Sequence, residues 1–154
     1  MTSLRELNPD FRELLLAFSA AGVEFVVVGA HALALHGVPR ATGHLDVLVR
    51  PSDDNAQRVW QALVAFGAPM EAAGVRVQDF ATPGIVYQIG LPPSRIDVLT
   101  EITGVTFDDA WSGRESVDLE GATVHFLGRD ALVRNKEATG RAKDLADVAR
   151  LRRR

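Results

Sequence analysis

The stretches Val26-Val-Val-Gly-Ala-His31 and His44-Leu-Asp-Val-Leu-Val49 decide the fold of this chain. The first belongs to a valine-rich run, residues 23–29, bounded by glycines, which is typical of a strand buried on both faces. The second also predicts a strand. Because alternate side chains of a strand point to opposite faces, His44 and Asp46 share one face, and the apolar residues between them face the core.

A third polar position lies in the later apolar stretch Arg95–Leu99, where Asp97 stands between Ile96 and Val98. An acidic residue inside an apolar strand costs several kcal/mol if it is buried alone, so it needs a metal ion, a hydrogen-bond partner or solvent. Two such positions, Asp46 and Asp97, favour a site. An aspartate that only hydrogen-bonds within the structure is the alternative.

Helical spacing and turn residues predict the remaining elements. We expect helices at residues 9–21, 30–36, about 54–66, 130–138 and 143–151, strands at 75–80, 85–89 and 95–99, and a hairpin at 117–126 that turns at Glu120-Gly121. The pattern indicates an α/β (α+β) fold with a small mixed sheet, helices packed on one side, and C-terminal helices closing the site.

Length and composition exclude several classes of protein. At 154 residues and 47% hydrophobic, residues 1–154 are expected to form a single globular domain. With no cysteine, disulfides, thiol nucleophiles and thiolate metal sites are excluded, and a cytoplasmic location is favoured. No apolar stretch is long enough for a membrane span, and the N-terminus has no signal-peptide pattern.

Charge is distributed unevenly, although the net charge is only -3. Residues 129–154 carry +5 and residues 1–128 carry -8. A basic C-terminal segment folded against an acidic body would suit a site that brings carboxylates, metals and phosphates together. A solvated helical face is the alternative.

Four segments together resemble the nucleotidyltransferase superfamily, in the small bacterial group related to abortive-infection and toxin–antitoxin transferases. The segments are Val28–Leu33, Arg40–Val47, Arg95–Leu99 and Asn135–Asp147. The resemblance implies transfer of a nucleoside monophosphate from a nucleoside triphosphate to an acceptor, such as RNA or a protein, with Mg²⁺ or Mn²⁺ as cofactor.

The resemblance also implies roles for individual residues. Asp46 and Asp97, with His44, would form the catalytic and metal-binding set. Gly29 has no side chain, so its backbone could approach phosphate oxygens, although tight packing after a strand is the plainer explanation. The remaining candidate nucleotide-binding residues are Ala30, Arg40, Lys136, Lys143 and Asp144, of which the four charged ones could equally be solvated polar residues.

Two residues depart from the family's pattern: His44 stands where the first metal-binding aspartate is expected, and Ala30 stands where glycine or serine is expected. Mg²⁺ prefers oxygen ligands, whereas imidazole suits Zn²⁺, Mn²⁺ or Ni²⁺. One missing charge at ~4 Å, at an effective dielectric constant near 20, is worth about 4 kcal/mol, or roughly a thousandfold in rate. We therefore expect weak or absent Mg²⁺-dependent catalysis.

Two other functions remain open at this stage. A catalytically inactive relative would act as a nucleotide-binding module or as a protein partner in a toxin–antitoxin pair. A metal-dependent hydrolase could be built on the His44, Asp46 and Asp97 cluster. His44, His31 and His36 could also have only structural roles.

Overall fold

In the computed structural model, which describes residues 7–153, six strands form one mixed sheet between two layers of helices. The strands are β1 Phe25–Val28, β2 His44–Val49, β3 Val86–Ile89, β4 Arg95–Leu99, β5 Glu115–Leu119 and β6 Ala122–Phe126. The helices are α1 Pro9–Ala20, α2 Gly29–Leu35, α3 Asp53–Phe66, α4 Phe107–Ser112, α5 Arg129–Thr139 and α6 Ala142–Arg152.

The order of strands across the sheet is β3-β4-β2-β1-β6-β5. The central strand β2 is antiparallel to β1 and parallel to β4. The outer pairs, β3 with β4 and β5 with β6, are antiparallel, and β6 runs parallel to β1. The mixed α/β sheet predicted from the sequence is therefore confirmed.

Both faces of the sheet are covered, which corrects the prediction that helices pack on one side. Val27 belongs to the core cluster beneath α1 and α3, whereas Val26 and Val28 belong to the cluster beneath α2, α4, α5 and α6. Leu48 likewise lies on the second face, opposite Val47. Since apolar residues of β1 and β2 point both ways, each face needs its own layer of helices.

Local signals placed most elements correctly. Ser52 caps α3 by accepting a hydrogen bond from Asn55, and α3 ends at Gly67, whose φ is +92°. The hairpin turns at Glu120-Gly121, where both residues have positive φ, as a tight hairpin turn requires. Gly140, with φ +68°, separates α5 from α6 as predicted.

The predicted strand at residues 75–80 is wrong. This segment contains a 3₁₀ helix at Val77–Ala81. The Asp79 carboxylate accepts a hydrogen bond from the Arg76 backbone N–H at 2.8 Å, and Phe80 is the buried residue of the turn. A local bond from side chain to backbone thus replaces the strand ladder that the alternating pattern suggested.

Candidate functional site

The parallel pairing of β2 with β4 brings the three predicted ligands together. Asp46 lies opposite Asp97 in the register, and His44 lies opposite Arg95. One ligand atom from each of His44, Asp46 and Asp97 lies within 4.8 Å of the others. We call these three residues the β2–β4 cluster.

The side chains of the β2–β4 cluster become more exposed from Asp97 to His44. The exposed fraction is 8% for Asp97, 19% for Asp46 and 35% for His44. All three point to the face that carries α2, α4, α5 and α6, because their neighbours along each strand belong to the core on the opposite face. The cluster is therefore embedded in the sheet at one end and open to a ligand at the other.

Gly29, the first residue of α2, packs its backbone against the Asp46 carboxylate. Its φ is +68°, a conformation that L side chains rarely adopt, and a Cβ at this position would approach Oδ2 of Asp46 more closely than real Cβ atoms do. Glycine is thus required both by backbone conformation and by the space that Asp46 occupies. Ala30, the next residue of α2, is half-buried.

The environment of Asp46 disfavours its negative charge. Burial raises the pKa of Asp46, the nearby His44 imidazole lowers it, the adjacent Asp97 carboxylate raises it further, and the charge of Arg95 lowers it. The net effect is a raised pKa of Asp46. Two carboxylates side by side are an arrangement that a bound cation would stabilise.

Arg95 is a residue of this site that the sequence analysis did not select. Its Nη2 lies 3.1 Å from Oδ2 of Asp97. Within residues 7–153, however, its buried Nε and the buried Oδ1 of Asp97 have no hydrogen-bond partner. The sequence contained a signal that could have identified Arg95: it stands two positions before Asp97 and so shares its face of the strand.

Thr42 orients the imidazole of His44. The Thr42 hydroxyl donates its hydrogen to the His44 carbonyl at 3.1 Å, so its oxygen is left to accept from the His44 backbone N–H at 3.2 Å. Nδ1 of His44 lies 3.4 Å from the same oxygen. Nε2 lies on the side of Asp46, 3.3 Å from its Oδ2.

His31, on α2, borders the cluster through the backbone of His44. Burial lowers the pKa of His31, and the charge of His44 adds to this, against a hydrogen bond to the His44 backbone that raises it. Phe11 packs edge-on against its ring at 5.7 Å between centroids. These contacts agree with the structural role that the sequence left open for His31.

Four of the predicted nucleotide-binding residues lie at α5, α6 and the loop before β2. Lys136 bridges two buried carboxylates, Asp144 at 3.1 Å and Asp147 at 3.2 Å. Arg40 forms a bidentate pair with Asp147, and Arg141 pairs with Asp144 at 2.7 Å. We call these five residues the α5–α6 cluster.

Lys143, the fourth predicted nucleotide-binding residue in this region, lies exposed on α6 and outside the α5–α6 cluster.

Asp144 is nearly inaccessible to solvent, and its environment favours its charged form. Burial raises its pKa, but hydrogen bonds from Thr139, Lys136 and Arg141 outweigh that effect and lower the pKa to about 2. The pKa of Asp147 is also lowered, because bonds from Arg40 and Lys136 outweigh its burial.

Comparison with solved structures gives an informative similarity. A crystal structure of a putative nucleotidyltransferase from Thermotoga maritima matches with a TM-score of 0.53 and 14% sequence identity, covering 96% of this chain and 93% of that one. No family model matches, and no curated protein matches. The fold is therefore nucleotidyltransferase-like. Within residues 7–153, no helix has the length and apolar character of a membrane span.

Proposed function

We propose that this protein transfers a nucleoside monophosphate from a nucleoside triphosphate to an acceptor, with a divalent metal ion. The observation that carries this proposal is the convergence of His44, Asp46 and Asp97 on one face of a nucleotidyltransferase-like sheet. The acceptor stays open among RNA, a protein hydroxyl and a small molecule.

The donor set fits a divalent cation. Two carboxylates and an imidazole lie within reach of one ion, and the buried Oδ1 of Asp97 has no hydrogen-bond partner within residues 7–153. When bound, such an ion neutralises charge on the attacking and leaving oxygens of an in-line phosphoryl displacement. His44, Asp46 and Asp97 are the residues that would hold it.

Other residues around the cluster would position the substrate. Because Gly29 has no side chain, the Asp46 carboxylate has room to lie against the Gly29 backbone. Arg95 keeps a positive charge beside Asp97, where it would attract a triphosphate. The nucleotide-binding roles expected for Ala30, Arg40, Lys136, Lys143 and Asp144 remain predictions.

The test is release of pyrophosphate from ATP, GTP, CTP or UTP in the presence of RNA, protein or small-molecule acceptors that carry hydroxyl groups, measured with Mg²⁺ and with Mn²⁺. We expect turnover of at least one nucleotide with Mn²⁺, weak or no turnover with Mg²⁺, and loss of turnover in Asp97→Asn. Asp54→Asn, which changes an exposed aspartate on α3, should leave turnover unchanged. Turnover that survives Asp97→Asn would contradict the proposal.

A second candidate is an inactive relative that binds nucleotide or acts as a partner in a toxin–antitoxin pair. The observation that favours it is the imidazole of His44 at the position of an expected carboxylate. His44→Asp separates the two. If this substitution creates Mg²⁺-dependent transfer that the unchanged chain lacks, the scaffold is retained and His44 has switched it off. If neither form binds any of the four nucleotides, the partner function is favoured.

A further inference from the structure

The nitrogen ligand of the β2–β4 cluster faces an oxygen acceptor. Nδ1 of His44 lies on the side of the Thr42 hydroxyl, and Nε2 lies 3.3 Å from Oδ2 of Asp46. One ligand atom from each of His44, Asp46 and Asp97 lies within 4.8 Å of the others, so the cluster offers one nitrogen and two carboxylate oxygens. A cation that takes both nitrogen and oxygen ligands fits this donor set.

Asp97 supplies a second, independent sign of a ligand. Its side chain is 92% buried, and although Oδ2 pairs with Arg95, the buried Oδ1 has no hydrogen-bond partner among the described residues. A buried carboxylate oxygen without a donor carries the full cost of losing its water. Binding a cation would remove that cost.

From these contacts we infer that the β2–β4 cluster binds a divalent transition-metal ion of the Mn²⁺, Co²⁺, Ni²⁺ and Zn²⁺ class in preference to Mg²⁺. The ligands are Nε2 of His44 and carboxylate oxygens of Asp46 and Asp97. Imidazole is a good ligand for these ions, whereas Mg²⁺ requires oxygen ligands in a strict octahedron. This inference rests on the proposed function and specifies which class of metal ion its site prefers.

The experiment must distinguish the effect of the ligand atom, nitrogen or oxygen, from the effect of the charge of the side chain. Transition metals bind most nitrogen and oxygen sites more tightly than lighter ions do, so a preference of the unchanged chain alone decides nothing. His44→Gln offers an amide oxygen near the position of Nε2 without adding charge. The decisive quantity is the ratio of the Co²⁺ affinity to the Mg²⁺ affinity, measured by calorimetry in the absence of nucleotide.

We expect His44→Gln to lower this ratio by at least about tenfold, mainly through weaker Co²⁺ binding. The Co²⁺ complex of the unchanged chain should show a visible absorption band that shifts in His44→Gln, because a nitrogen ligand is replaced by oxygen. His125→Gln removes a histidine of β6 outside the cluster and should change neither the ratio nor the band. An unchanged ratio in His44→Gln would overturn the inference.

Thr42→Val provides a second variant in case His44→Gln unfolds. It leaves the imidazole intact but removes the group that fixes Nδ1, and we expect the Co²⁺ affinity to fall about tenfold. Equal Co²⁺ affinity in this variant would contradict the assigned ring orientation. Metal binding without nucleotide transfer would refute the proposed function alone, and nucleotide transfer with an unchanged affinity ratio would refute the metal preference alone.

Discussion

The β2–β4 cluster and the α5–α6 cluster each bring two aspartates together, but their surroundings act in opposite directions. In the α5–α6 cluster, Lys136 contacts both Asp144 and Asp147, each aspartate has one arginine partner as well, and both pKa values are lowered. In the β2–β4 cluster the pKa of Asp46 is raised, and Oδ1 of Asp97 has no hydrogen-bond partner in the described chain.

This difference separates two uses of a buried carboxylate. Where every oxygen has a donor and each carboxylate has cationic partners, the carboxylate holds elements together, here α5, α6 and the loop that leads into β2. Where charges of the same sign lie side by side and an oxygen has no donor, the arrangement costs stability, and a bound cation would remove that cost. Removing a carboxylate should therefore have opposite effects in the two clusters.

The largest effect is expected for Asp147→Ala. This change leaves Arg40 and Lys136 without a carboxylate that is 1% exposed, and breaking such a buried pair costs about 3 kcal/mol or more. The free energy of unfolding in urea measures the loss. Asp54→Ala, at an exposed position of α3, should change it by less than about 0.5 kcal/mol. Equal losses in both variants would show that the α5–α6 cluster has no special role in stability.

The next largest effect is expected in the dependence of the free energy of unfolding on acid pH. The pKa of Asp144 is about 2 in the folded protein, against an ordinary value of 3.8, so its charge stabilises the fold above about pH 4. This contribution, about 2 kcal/mol, is lost as the pH falls from about 4 to about 2. Unfolding measured from pH 7 to pH 2 should show it, and Asp144→Asn should flatten the curve in that range. A variant curve parallel to that of the unchanged chain would refute this assignment.

The sequence predicted the elements that depend on local signals. The alternation along β2 correctly separated the apolar residues from His44 and Asp46, and Gly67 and Gly140 marked helix ends. Helix α4 was not predicted, because it is only six residues long and its main local signal is the Thr106 cap.

Contacts between distant segments were harder to predict from the sequence. The spacing selected His44, Asp46 and Asp97, but their convergence depends on the parallel register of β2 and β4, which no local pattern encodes. Lys136 was recognised as a candidate cation, but its two carboxylate partners become evident only when α6 packs against α5. The pair of Arg40 and Asp147 joins residues that are 107 positions apart.

A smaller effect is expected at Gly29, and Gly140 provides a matched control. Both have φ +68°, but a Cβ at Gly140 meets nothing within 4 Å, whereas a Cβ at Gly29 collides with Asp46. Both alanine variants should lose about 1–2 kcal/mol of stability to the strained backbone. Gly29→Ala alone should also weaken Co²⁺ binding, measured by calorimetry. A matching loss of Co²⁺ affinity in Gly140→Ala would show that the effect is general destabilisation.

The smallest effect on stability is expected for Asp46→Asn in the metal-free protein. A carboxyl group whose folded pKa is raised destabilises the fold once the pH exceeds its unfolded value, so at pH 7 the ionised Asp46 opposes folding. Removing the charge should leave the free energy of unfolding unchanged or raise it by up to about 1 kcal/mol, the size of a contact between like charges at ~4 Å in water. In the same variant, stabilisation by added Co²⁺ should be lost. A clear fall in metal-free stability would place Asp46 with the structural carboxylates of the α5–α6 cluster, because a carboxylate whose charge opposes folding does not stabilise the metal-free protein.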